Sequence, residues 1–566
     1  MTTRELVVAV IVYVSLAIPT LVHAAFFKRH SRAALGWIAF IVSAPVLGGV
    51  LYLLFGVNRV RLRSRSIRSG AEAALRIIDE LAAEERALRA ESWGAEAPLP
   101  DVAPAMIRIG AAVTDAPLVP GNAILPLHHG EEMFPELLAA IAAAKKRVWL
   151  TTYIFDTDAL GLLVIDALIA AHQRGVDVRV VVDGVGQLNG GGLRPASMRL
   201  RKAGVAVVRF LPPRLLPPQV YINMRNHRKV IVVDGEVAFS GGMNIGGRHL
   251  IADPWTPRPV QDLHFRLRGP IVRDLEWLFL QDWAFALEHE RRRRFRMPSR
   301  ELLRGLRKAP LSLPNDARED SEAVLVTAAA LPLAERTRRI KEGLRIQMRS
   351  DQDPAAALEG LSDARRHYLT QRMAIRPSAE AEVHGAWCRL VVDGPDLELN
   401  RLEMLISGVV AAAERRVFIV TPYFLPTESI TASLAAAAMR GVDVRVIIPE
   451  RSNEPLVEHA MYRMLVWLLR RGVRVLRQPG PFVHTKLILV DDAYVQMGST
   501  NLDPRSLRLN FEHVIEIYSQ PLVRQLEAHF APVLDRCQEI REEDVRKRPW
   551  YTKSADAFCW LFSPYL

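Results

Sequence analysis

At 566 residues the chain is long enough for two or three domains. Its three cysteines, Cys388, Cys537 and Cys559, are an odd number without metal-ligand spacing, which argues against a disulfide framework or a zinc site. A net charge of +12 suits a partner that carries phosphates, whether nucleic acid or anionic lipid.

The first sixty residues decide between those partners. Neither residues 6–27 nor residues 33–58 include a charged side chain. Each run is long enough to cross a hydrocarbon core of about 30 Å, for which about 20 residues suffice. Pro19 and Pro45 lie inside them, which membrane helices tolerate. A cleaved signal peptide would be shorter and would not be followed at once by a second apolar run, so residues 1–62 are expected to form a transmembrane helical hairpin. Lys28, Arg29 and Arg32 lie in its connector, against Arg4, Arg59, Arg61, Arg63, Arg65 and Arg68 on the flanks. That bias places the N-terminus and the large C-terminal body in the cytoplasm. Residues 63–116 follow as an amphipathic helix and linker, with Leu75, Ile78, Leu81 and Leu88 at helical spacing. This helix can pack on the large C-terminal body or lie on the membrane.

From residue 117 strand and helix alternate. Helices are expected over 134–145 and 160–173, and strands over 148–155, 176–183 and 205–211. Strand, helix, strand at these lengths is a βαβ unit, so the sheet is at least partly parallel. A further strand is expected around Asp262, then a helix containing Trp277 and Trp283. Residues 291–381 break the pattern with an arginine run, prolines and a charged helical piece, and read either as a solvated linker or as a contact for anionic lipid. From residue 382 the alternation returns. Arg440-Gly441-Val442-Asp443-Val444-Arg445 repeats residues 174–179 letter for letter.

The repeat culminates in one figure that occurs twice. His227, Lys229 and Asp234 flank the apolar run 230–233, and Gly241-Gly242-Met243-Asn244 begins seven residues after the aspartate. His484, Lys486 and Asp491 flank the run 487–490 in the same way, followed at the same offset by Gly498-Ser499-Thr500-Asn501. Alternate residues of a strand share a face, so each His points with its Lys. The aspartates fall an odd number of residues after the His, at a hairpin turn, and are expected to fix that hairpin. Imidazole, ammonium and carboxamide from two facing copies make a phosphate site in which His serves as nucleophile or acid.

The duplicated motif resembles the paired HKD motifs of the phospholipase D superfamily. The resemblance narrows with Tyr52-Leu53-Leu54-Phe55-Gly56, with residues 223–229, and with Thr421-Pro422-Tyr423-Phe424-Leu425-Pro426. Asp503-Pro504-Arg505-Ser506, Asn510-Phe511-Glu512 and the ending 561–566 are likewise similar to bacterial cardiolipin synthases. Asp393 departs from a Ser often found in that family, and residues 290–381 have no familiar counterpart. The resemblance implies an α/β fold of two phospholipase D-like lobes, each a mixed sheet flanked by helices, over 117–290 and 382–566. The lobes are related by a pseudo-two-fold and preceded by the transmembrane hairpin. It implies phosphatidyl transfer between two phosphatidylglycerol molecules, giving cardiolipin and glycerol at the bacterial inner membrane, with no nucleotide, metal or nucleic acid. The motif residues His227, Lys229, Asp234, His484, Lys486 and Asp491 form the catalytic set, and Asn244, Ser499 and Asn501 the phosphate-binding set. The superfamily orients each His with an acid of the opposite lobe, here Glu512 for His227 and Asp262 for His484. It also makes His227 the nucleophile and His484 the acid, then base. A lipid-hydrolysing phospholipase D and a phosphodiester nuclease are the alternatives, the second disfavoured by the membrane hairpin.

Overall fold

The computed structural model describes residues 13–28, 31–56, 59–92, 103–114, 116–188, 195–213, 224–294, 365–366, 368–371, 373, 380–395 and 400–563. The start of the first apolar run, Asn223, most of the connecting stretch 291–381 and the last three residues of the chain lie outside them. The chain divides into two units, residues 1–66 and 67–566.

In the first unit the apolar runs form the helices Ile18–Phe27, Ser31–Ser43 and Pro45–Leu51, with π-helical turns at Tyr13–Ala17 and Tyr52–Gly56. Ala17, Ala24, Ile41 and Tyr52 are buried together, and His23 Nδ1 lies 2.7 Å from the Tyr52 hydroxyl. Among the described residues no helix is long and apolar enough to cross a membrane. The second expected span is interrupted at Ala44, whose backbone (φ −140°, ψ 76°) is non-helical just ahead of Pro45. Proline pushes its predecessor out of the helical region in this way.

The second unit carries the strands β1 (Val119–His128), β2 (Arg147–Thr152), β3 (Asp177–Asp183), β4 (Ala206–Phe210), β5 (Val230–Val233), β6 (Val237–Gly241), β7 (Val260–Gln261) and β8 (Leu263–Arg268). After the connecting stretch come β9 (Val383–Asp393), β10 (Arg416–Val420), β11 (Asp443–Pro449), β12 (Arg474–Gln478), β13 (Phe482–Val483), β14 (Leu487–Val490), β15 (Tyr494–Gly498), β16 (Glu512–Tyr518) and β17 (Gln538–Glu539). All but β7 and β13 join one sheet in the order β17-β12-β11-β10-β14-β15-β16-β9-β1-β8-β6-β5-β2-β3-β4. Outward from the antiparallel β9–β1 contact, both sides repeat one plan. An antiparallel strand (β8 or β16) comes first, then the motif hairpin, then a parallel trio that ends at β4 or β12. The two lobes are therefore halves of one continuous mixed sheet. The apolar runs of β5 and β14 are buried at every position, as strands covered on both faces must be.

Two segments outside the expected lobes belong to this body. The amphipathic helix runs over Arg59–Ser92, and Ala71, Ala74, Leu75, Ile78 and Ala82 pack against Trp277 and Ala284 of the helix Ile271–Arg294. Glu85 accepts hydrogen bonds from Arg273 Nε (2.9 Å) and Trp277 Nε1 (3.0 Å). Of the two placements open to this helix, packing on the body is the one seen. Burying Leu75 and Ile78 contributes about 1.5–3 kcal/mol each. The helix Pro104–Val113, expected as linker, inserts Met106 and Ile107 into the core of the second half beside Leu402 and Leu405.

Candidate active site

Each motif strand is tied down at one end by its aspartate and at the other by the opposite lobe. Asp234 sits in the β5–β6 turn at φ +55°, and its carboxylate accepts the backbone N–H groups of Lys145, Lys146 and Arg147, each at 2.8 Å. Asp491, at φ +50°, accepts those of Glu414, Arg415 and Arg416 at 2.8–3.0 Å. A four-residue strand, about 13 Å long at 3.3 Å per residue, separates each aspartate from its histidine. Asp234 and Asp491 therefore stand apart from the catalytic group in which the motif places them, and their visible work is to moor the hairpins. Asp234→Ala is expected to cost about 1–3 kcal/mol of stability in chemical denaturation, because three N–H groups lose their acceptor. Turnover per folded molecule should stay within a few-fold of the parent.

At the other end the lobes exchange backbone contacts. β13 pairs in parallel with β7, Val483 opposite Gln261, and His484 N–H donates to Gln261 O at 2.7 Å. Asn226 makes the matching parallel bridge to Phe511, and His227 N–H donates to Phe511 O at 3.0 Å. In both cases the residue before the histidine pairs with the residue before an acid of the other lobe. This brings His484 Nδ1 to 2.7 Å from Asp262 Oδ2. It brings His227 Nδ1 to 3.1 Å from Glu512 Oε1 and 3.1 Å from Ser499 O. A carboxylate can only accept, so Nδ1 carries the proton and Nε2 of each ring is left with its lone pair for chemistry.

The cleft is buried and cationic. Lys486 Nζ lies 3.1 Å from His484 Nε2, and Lys229 Nζ donates to His227 O at 2.6 Å. Burial pushes Lys229 down to about 7, with Lys486 adding to the shift against Glu512. Burial likewise brings Lys486 to about 8. Burial also lowers His227, and it lowers His484 further with help from Lys486, Lys229 and His227, so both rings are neutral in the empty site. Burial alone would raise Glu512, but His227 and Lys229 outweigh it and hold the carboxyl ionised. Burial dominates at Asp262 and raises it. An ammonium loses its charge as pH rises through its pKa. The alkaline limb of kcat/KM, which reports the free enzyme, is therefore expected near pH 7–8. A bound phosphodiester favours the charged lysines, so the same limb in kcat should lie higher. A kcat/KM that stays level from pH 7 to about pH 9.5 would contradict this assignment of the lysines.

The phosphate-binding set divides. Asn244 accepts the Ile154 N–H through Oδ1 (3.1 Å). Asn501 is buried, with its side chain bonded to Asp503 and its Oδ1 unpaired among the described residues. Ser499 is fully buried, and its hydroxyl donates to Glu512 and accepts the His513 N–H at 3.1 Å. It braces the orienting acid and is not turned toward a phosphate. The first copy has Gly242 at this position, and a Cβ there would meet Asp262 Oδ1 at 2.2 Å. The two half-sites therefore differ in how the acid is supported.

Several residues of the site carry no signal in the motif. The Tyr153 ring stands 5.2 Å from that of His227 and 5.8 Å from Lys229 Nζ. Asp183, fully buried, binds Arg225 and accepts the Asn226 N–H at 3.0 Å, fastening the chain just ahead of His227. Asp282 pairs with Arg228 and takes Asn226 Nδ2 at 2.9 Å. Asp183 closes a strand and Asp282 lies on a helix, positions at which an acid is common, so nothing local marks them.

Comparison with known proteins agrees with this geometry. Residues 137–253 and 407–534 match the family described as cardiolipin synthase, PLD-like domain. Residues 15–56 match the phospholipase D-nuclease N-terminal family. The chain thus carries the PLD-like domain in two halves. The chain is also similar along nearly its whole length to bacterial cardiolipin synthases. It is 28% identical over 546 residues to the cardiolipin synthase of Halalkalibacterium halodurans, covering 95% of this chain and 90% of that one. It is 29% identical over 556 residues to cardiolipin synthase A of Pseudomonas entomophila, covering 97% and 96%. The crystal structure of phosphatidylserine synthase from Haemophilus influenzae Rd KW20 shares the fold, with a TM-score of 0.52 and 16% identity over 81% of this chain and 100% of that one.

Proposed function

We propose that this protein is a cardiolipin synthase that transfers a phosphatidyl group from one phosphatidylglycerol to the headgroup hydroxyl of another, releasing glycerol. The observation that carries the reading is the pair of histidines, each held through Nδ1 by an acid of the opposite lobe, in one buried cleft with two lysines. His227 Nε2 attacks the phosphodiester phosphorus, and the bond to the headgroup glycerol oxygen breaks. His484 gives its Nε2 proton to that oxygen, and a phosphatidyl-histidine remains. The hydroxyl of the second phosphatidylglycerol then passes its proton to His484 and attacks phosphorus, freeing His227. Lys229, Lys486 and Asn244 stabilise the non-bridging oxygens as charge builds on them. The arriving diester supplies the negative charge that lets His484 take up its proton, since the empty site holds it neutral.

The membrane setting of the reading is supported by the uncharged runs of the first sixty residues, taken as an anchor in the bacterial inner membrane with the catalytic body on its cytoplasmic side. A second support is the helix Trp550–Leu561, which leaves Trp550, Tyr551, Phe558, Trp560 and Leu561 exposed among Lys547 and Lys553. Aromatic and basic residues on one exposed surface suit the headgroup layer of anionic lipid. Purified protein incubated with phosphatidylglycerol labelled in the headgroup glycerol is expected to release one labelled glycerol per cardiolipin formed. Phosphatidic acid as the sole lipid product would establish the hydrolytic alternative.

A further inference from the structure

We infer that His128, Glu380 and His529 form a divalent-cation site that fastens the two halves of the sheet beside the cleft. None of the three takes part in the reaction proposed above, and the inference does not depend on it. His128 ends β1 in the first half, Glu380 leads into β9, and His529 lies on the helix Gln520–Leu534 of the second half. One ligand atom from each lies within 4.8 Å of the others. His128 Nε2 is 2.7 Å from Glu380 Oε1, and the two imidazole rings stack at 3.6 Å with an interplanar angle of 15°.

Two further observations favour a cation. Gln525 donates to the second oxygen of Glu380 and, at 3.1 Å, to Ala381 O, which fixes the carboxylate as supporting groups do around metal ligands. The cluster opens onto a cavity of about 760 Å³ lined by Glu380, Glu382, His384, Gln525 and His529, which gives an ion its way in. Two imidazoles and a carboxylate are a donor set for zinc, cobalt or nickel, with water in the fourth position. At bond lengths of about 2.0–2.2 Å the donors must draw together and the stacked rings must splay. The cation then replaces the His128–Glu380 hydrogen bond. Its reach extends to the catalytic cleft, because the next residue, His129, donates its N–H to Asp262 O at 3.1 Å.

Cobalt(II) added to the chelator-stripped full chain in detergent tests the site. One equivalent is expected to bind with visible d–d absorption and to raise the unfolding temperature. Glu380→Gln and His529→Gln should each weaken binding by about tenfold or more and remove the thermal shift. Both substitutions lie at the surface cavity, so either serves if the other is poorly folded. Absence of the absorption in the parent, or its persistence with unchanged affinity in both variants, would overturn the site.

Discussion

His227→Ala and His484→Ala are each expected to lower phosphatidyl transfer by about 10⁴-fold or more, the scale on which loss of a reacting group is felt, with the fold retained. The two variants should fail at different steps. A phosphatidyl ester with a good leaving group needs no proton from the enzyme, so His484→Ala should still form the covalent adduct and then stall. His227→Ala should form none. Mass spectrometry of a short incubation is expected to place the adduct on His227. The acids favour this order: Glu512 is ionised and braced by Ser499, which suits a ring that becomes cationic on phosphorylation, whereas burial raises Asp262. An adduct on His484, or near-parental turnover in either variant, would reverse or sink the assignment.

Glu512→Gln is expected to reduce turnover by about 10²–10⁴-fold, the range seen when the acid that orients a catalytic imidazole becomes an amide. The glutamine can present its NH2 to His227 Nδ1, which turns the ring to the tautomer with its proton on the attacking nitrogen. Ser499→Ala removes only the brace and should cost about tenfold, corresponding to one hydrogen bond to a charged group. Its deficit should therefore be far smaller than that of Glu512→Gln. Circular dichroism of both variants should match the parent. A Glu512→Gln enzyme within a few-fold of normal rate would mean that His227 is oriented by the Ser499 carbonyl instead.

What the sequence made legible was local or duplicated. β5, β6, β14 and β15 were readable from buried β-branched runs between turn residues, and the His–Lys pairs from their repetition. The orienting acids were reachable only through family resemblance, because Glu512 meets His227 across 285 residues and no periodicity encodes such a contact. Ser499 looked like a phosphate ligand because small polar residues after a hairpin usually face solvent or an anion, but full burial turned its hydroxyl onto Glu512. Arg228 is a cationic neighbour of His227 in the sequence, where it would favour a neutral ring. It is instead paired with Asp282, and burial does that work. The helix Pro104–Val113 was too short and too small-residue-rich to stand out, and tertiary packing alone makes it part of the core.

The reciprocal bridges at Asn226–Phe511 and Val483–Gln261 also govern when the protein becomes reactive during its synthesis. A nascent chain that has completed only the first half holds His227 without an acid and Asp262 without a histidine. On the proposed mechanism, activity arises in a single late event, the docking of the second half, and a chain interrupted before it is expected to have no turnover. The same arrangement makes the halves complementary parts. Expressed as separate polypeptides, each would be silent, and their mixture would be active only to the extent that they associate.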